Sequence, residues 1–149
     1  MKLFTKTIAL LALPFLLNAG SLIVKNSNHS VDETIAKIET IVKSKAKEGM
    51  GVFTVIDHQK GAQKAGLQMQ EEKVILFGNP KLGTKMMQRD PKTGLDLPLK
   101  VLVYQDKEGK TKMIYHDPIK WSKDFDLEGC KLVKKMADVL DMITTKAGE

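Results

Sequence analysis

Lys73 to Phe77, KVILF, limits what this chain can become more than any other stretch. Four apolar residues in succession leave no polar face. The segment therefore reads as the central strand of a sheet. Gly78-Asn79-Pro80 stops it abruptly. Pro80 suits the first position of a helix, and Asn79 can cap it. Leu82, Met86 and Met87 then fall on the inward face of a short Met-rich helix. Asp90-Pro91 and Thr93-Gly94 mark further turns before the next strand begins near Leu99. Val74 to Leu99 is thus the stretch around which the rest is organised.

Ser21–Asn26 is a short β-type run. Ser30 with Glu33 three residues later is a capping box. Val31, Ile35, Ile38 and Val42, with Ile41 beside them, follow at helical spacing, and Gly49 closes the helix. Gly51–Asp57 reads as a second strand, with Val52, Thr54 and Ile56 on one side and Phe53 and Val55 on the other. The small residues of Gln59–Gly66 suggest a short helix lying close against a neighbour, with Leu67 and Met69 returning to the core. Leu99–Gln105 and Thr111–Tyr115 are two more strands, joined by a hairpin loop with Gly109 at its tight position.

A final helix is expected to be capped by Asp124 or Asp126. Its stripe is Leu127, Cys130, Val133, Met136, Leu140 and Ile143, which makes the lone Cys130 an inert buried thiol. The order β-α-β-β-β-β-α, with a small helical insert on either side of the third strand, gives an α+β domain. It predicts an antiparallel sheet of about five strands with helices on one face. The other face is then a dimer surface or the wall of a site.

Residues 1–19 stand apart. Lys2 and Lys6 precede the apolar run Ile8–Leu17, and Leu17-Asn18-Ala19 offers a small residue for cleavage after Ala19. The run is about half the ~20 residues that a membrane span needs, which favours a cleaved signal peptide over an anchor. No cysteine follows for lipid attachment. The expectation is export to the periplasm, or secretion in a Gram-positive host, of one domain covering residues 20–149. Removing residues 1–19 takes away two lysines and no acid, so the net charge falls from +6 to +4. With 5% aromatic residues and no dense basic stretch, the lysines read as solubility and nucleic-acid binding is not expected.

Several motifs fall in a recognisable order. They are Asp57-His58 with Ala62, Ala65 and Gly66; Phe77-Gly78-Asn79-Pro80; Gly83-Thr84; Met87; Leu95-Asp96-Leu97-Pro98-Leu99; and Tyr115 with Asp117-Pro118. Over residues 25–145 the chain resembles the family known as domain of unknown function 302. The resemblance implies an α+β fold similar to that of TATA-binding protein and a homodimer. It implies no DNA binding and brings no established activity. His116 departs from the pattern, where Asn is expected before the Asp-Pro.

His58 is the foremost candidate for chemistry, since it stands at a strand end beside Asp57. The alternative is a structural histidine capping the next helix. Asp57-His58 with His116-Asp117 invites a zinc or copper reading. In a simple meander, however, the two pairs lie at opposite edges of the sheet. The thioethers of Met69, Met86, Met87 and Met113 suit Cu(I), but they also sit at core-type positions. Asn79 and Asp96 serve either as turn clamps or, with His58, Met87 and Tyr115, as the lining of one pocket. In an enzyme, Asp96 and His58 would form an acid/base pair with Tyr115 as a donor. No motif names a cofactor. The leading reading is an exported, homodimeric protein that binds a small molecule or metal ion, or acts as an accessory. An acid/base enzyme, a copper-type protein and a structural partner are the alternatives.

Overall fold

Alternating inward and outward side chains require each strand here to have one covered face, and two long amphipathic helices supply the cover. The computed structural model describes residues 21–149; the signal peptide and cleavage after Ala19 expected from the sequence lie outside them. The strands are β1 (Leu22–Asn26), β2 (Gly51–Asp57), β3 (Glu72–Gly78), β4 (Leu99–Gln105) and β5 (Thr111–His116). The helices are α1 (Val31–Ser44), α2 (His58–Lys64), α3 (Pro80–Arg89) and α4 (Lys131–Gly148). The strands form one antiparallel sheet in the order β1-β5-β4-β3-β2. The α+β architecture and the element order are those the sequence indicates.

The α1 helix starts where its capping box requires. Glu33 N donates to Ser30 Oγ (3.2 Å), and Ser30 N donates to Glu33 Oε2 (3.0 Å). The helix then crosses the sheet from one edge, β1, to the other, β2, burying Ile35, Ile38 and Val42. Helix α4 packs beside it and contributes Val133, Met136, Leu140 and Ile143. Beneath them lie Ile75 and Phe77 of β3, Val101 and Val103 of β4, and Met113 of β5, all without exposed surface. Among the described residues no helix is long and apolar enough to cross a membrane.

Four expectations need correction. β3 is interior, as its apolar run requires, but β4 holds the centre. β5 is not an edge, because β1 pairs with it from Leu22↔His116 to Asn26↔Lys112. α2 buries none of its residues, so its small side chains mark no close packing. The last helix starts at Lys131, not after Asp124 or Asp126, because a 3-10 turn at Pro118–Lys123 and a loop come first. Cys130 is the half-buried residue just before α4, makes no side-chain capping bond, and its Sγ lies 3.5 Å from Met86 Sδ.

Asp126 has another use. Its amide donates to Asp90 Oδ2 (2.9 Å), while Lys92 N donates to Asp90 Oδ1 (3.0 Å). Asp90, only 6% exposed, thereby ties the end of α3 to the loop before α4. The Asp126 amide chiefly, then the amide and ammonium of Lys92, hold the Asp90 carboxyl below its usual range against the opposing effect of burial. A carboxyl with a lowered folded-state pKa stabilises the fold above its unfolded value, and that contribution is lost as the pH falls through the folded value. The stability gap between wild type and Asp90→Asn is therefore expected to be full at neutral pH and to shrink below the ordinary value of 3.8. Urea unfolding of both proteins at pH 7 and pH 3 checks it; an equal gap at both refutes the clamp.

Candidate functional site

β2 begins, β3 ends and β4 begins at the same end of the sheet, with Gly51 paired to Gly78 and Phe77 to Leu99. A cavity of about 380 Å³ opens there between the sheet, α3 and α4. Its main walls are Met50, Phe53, Leu82, Met87, Leu97 and Val139. Asn79, Thr84 and Lys135 supply the polar side chains. A pocket of this size and polarity holds a ligand by excluding water, with a few polar groups to orient it.

Phe53 reaches this wall because β2 is irregular. The register steps from Val52↔Phe77 to Thr54↔Leu76, so Phe53 is an extra residue opposite none. Such a bulge re-aims a side chain. Val52 and Val55 both pack toward the core as a result, which overturns the strict alternation expected for this strand. Thr54 and Ile56 lie on the open side.

Asn79 holds the cavity's rim together. Its Oδ1 accepts from Leu82 N (3.2 Å) and so caps α3, while its Nδ2 donates to Glu48 O (2.7 Å). One amide thus joins the start of α3 to the turn before β2. Gly49 beneath it has a φ of 84°, and a Cβ there would come within 2.8 Å of Asn79 Nδ2. Conformation and space both call for glycine.

The five residues expected to share a pocket do not. Asn79 and Met87 line the cavity. Asp96, in the turn before β4, pairs with His116, whose Nδ1 lies 3.1 Å from Asp96 Oδ1 at the surface. Tyr115 points to the helix side of β5 and is 3% exposed. Burial, partly offset by Thr144, pushes its phenol up. His58 starts α2 at the opposite end of β2. β2 and β4 run in the same direction, so His58 and Asp96 stand about 20 Å apart along the strands, at ~3.3 Å per residue. An acid/base pair of His58 with Asp96 is not assembled within one chain.

The metal candidates separate for the same reason. Asp57-His58 and His116-Asp117 lie at opposite ends of strands that are not neighbours. Asp57 caps α2, accepting from Lys60 N at 2.8 Å, and also pairs with Lys73 at 3.2 Å. The Lys60 amide first, then Lys73, hold its carboxyl below the usual range. Asp117 accepts from Ile119 N (3.0 Å) and caps the next turn. Among the described residues no three His, Cys, Asp or Glu side chains come together to hold a metal. Met86 and Met113 are fully buried core residues, Met69 lies in the loop before β3, and Met87 faces the cavity, so these four form no single thioether set.

The bulged Phe53 carries no sequence signal, since a strand's period of two is silent about an inserted residue. Val139 did carry one: it stands three residues after Met136 on the same flank of α4. Lys135 looks like any solvated lysine until the fold places it at the cavity.

Asn79→Ala is expected to cost about 1–2 kcal/mol of stability, the usual loss for a cap together with a second hydrogen bond. Asn79→Asp keeps the cap acceptor but loses the donor to Glu48 O, so it should recover only part of the loss. Equilibrium urea unfolding measures both, and full recovery by aspartate would remove the bond to Glu48 from the account.

The family model described as "Domain of unknown function DUF302" matches residues 23–143. A protein of Brucella suis biovar 1 named "Fluoride-specific ion channel FluC 1" is 43% identical over 99 residues, covering 66% of this chain and 38% of that protein. "Fluoride-specific ion channel FluC 2" of Brucella melitensis biotype 1 is 43% identical over 99 residues, covering 66% of this chain and 36% of that protein. The chain thus spans little more than a third of the length of these curated relatives. Among solved structures, an uncharacterized conserved protein DUF302 from Bacillus stearothermophilus superposes with a TM-score of 0.63 at 21% identity, covering 86% of this chain and 95% of that one. That likeness speaks for the fold, and the family model spans most of the sequence: the chain belongs to the DUF302 family.

Proposed function

We propose that this chain is an exported protein that binds a small, largely apolar molecule in the cavity between α3, α4 and the Gly51–Gly78 end of the sheet. The observation that carries this reading is the cavity itself, about 380 Å³ walled by aliphatic, thioether and aromatic groups. Thioethers from Met50, Met87 and Met136 make its wall adaptable, because methionine fits irregular shapes at little cost. Export rests on the signal-like residues 1–19. An accessory role fits relatives in which a region like this chain is carried within longer proteins named as ion channels.

The uncovered sheet face favours a second element of the reading, pairing with another copy. One cross-strand row runs Val24↔Ile114↔Leu102↔Val74↔Ile56, aliphatic on all five strands and facing away from both long helices. Val24 and Ile56 at its ends are exposed. Continuous aliphatic rows of this kind suit face-to-face packing of two sheets.

Two measurements test these elements. Native mass spectrometry of the protein from its own host is expected to show a retained mass that Gly83→Leu, which projects a side chain into the cavity, abolishes without lowering thermal stability. A retained mass unaffected by Gly83→Leu would remove the cavity from the reading. Sedimentation is expected to give a dimer that Leu102→Glu weakens by roughly tenfold or more, since it buries an unpaired charge. A monomer at micromolar concentration would refute the pairing.

A further inference from the structure

The cavity's charge is as informative as its size. Lys135 is the single ionisable side chain on the lining. Its neighbour Lys134 is paired with Asp138 at 2.7 Å, whereas among the described residues Lys135 has no carboxylate partner. The first turn of α4 holds no acidic residue, and Lys131, Lys134 and Lys135 crowd the positive end of that helix. That end of the cavity therefore presents positive potential to whatever enters, while the remaining walls are apolar.

We infer that the ligand is an amphipathic monoanion: a medium-chain carboxylate with its tail among Met50, Phe53, Met87 and Val139 and its head at Lys135. This identification rests on the ligand-binding reading above and specifies its chemistry. An apolar cavity of roughly 150 Å³ holds a benzene ring. A space of about 380 Å³ therefore suits about twelve to fifteen heavy atoms, the size of decanoate. Tail burial supplies affinity, about fourfold for each methylene. Lys135 is exposed, so it contributes selectivity of only a few-fold, strongest at low salt.

Titration calorimetry at low ionic strength with octanoate, decanoate, decanol and decyltrimethylammonium tests the inference on the whole mature protein. Decanoate is expected to bind about fifteenfold more tightly than octanoate, two methylenes at about fourfold each. It should also bind more tightly than decanol, with the cationic analogue weakest. Lys135→Gln is expected to weaken decanoate about three- to fivefold and leave decanol within about twofold. Gly83→Leu should remove binding of every probe. Equal affinity for decanoate and decanol, unchanged by Lys135→Gln, would overturn the carboxylate assignment while leaving an apolar site in place. Binding that survives Gly83→Leu would overturn the location. No binding of any probe would overturn both this inference and the cavity reading on which it rests.

Discussion

The pairing of β1 with β5 is the constraint from which the rest follows. It joins the first strand to the last, so the chain must travel from one edge of the sheet to the other before β2 can start. Helix α1 makes that journey. Because it passes over the sheet, its apolar stripe and the inward residues of β3 and β4 are buried by the same event. Helix α4 then fills the space left beside α1, above β1. Lys25 of β1 seals the arrangement by donating to Asp141 Oδ1 (2.6 Å) and Thr145 Oγ1 (2.6 Å) on that helix.

The cavity exists because this packing is incomplete at one corner. Helices α1 and α4 cover the middle of the sheet. At the Gly51–Gly78 end the cover passes to α3 and the Leu97–Leu99 segment. Those pieces are held by polar clamps rather than by side-chain interdigitation: Asn79 at the start of α3 and Asp90 after its end. Side-chain-to-backbone hydrogen bonds fix the position of backbone without filling volume. A rim held this way can be well defined and still enclose space.

The fold was legible in the sequence wherever one residue type sufficed to decide. Ser30 with Glu33 marked the start of α1, Asn79-Pro80 the start of α3, and the unbroken run in β3 an interior strand. What could not be read depended on relations between distant residues. The run 124–130 reads as the head of the last helix because Leu127 and Cys130 extend its stripe. The backbone there is instead drawn away by the bond from Asp126 to Asp90. Of the residues grouped into one pocket, Asn79 and Met87 line the cavity, since both belong to the stretch that shapes it. His58, Asp96 and Tyr115 were grouped with them on chemical interest alone. Strand direction and side-chain parity, which decide where such groups point, separate them.

The bulge in β2 has a bearing beyond the wall it completes. β2 and β1 are the two rims of the sheet, where unpaired backbone groups could recruit a sixth strand from another molecule. On β2 the extra residue at Phe53 breaks the even spacing that an incoming ladder needs. On β1 the inward-facing Lys25 places an ammonium on the helix side of the rim strand, a known deterrent to edge addition. With both rims spoiled in this way, lateral growth into fibrous or domain-swapped sheets is discouraged. The sheet's open aliphatic face, not its rims, is then the surface left for the pairing proposed above.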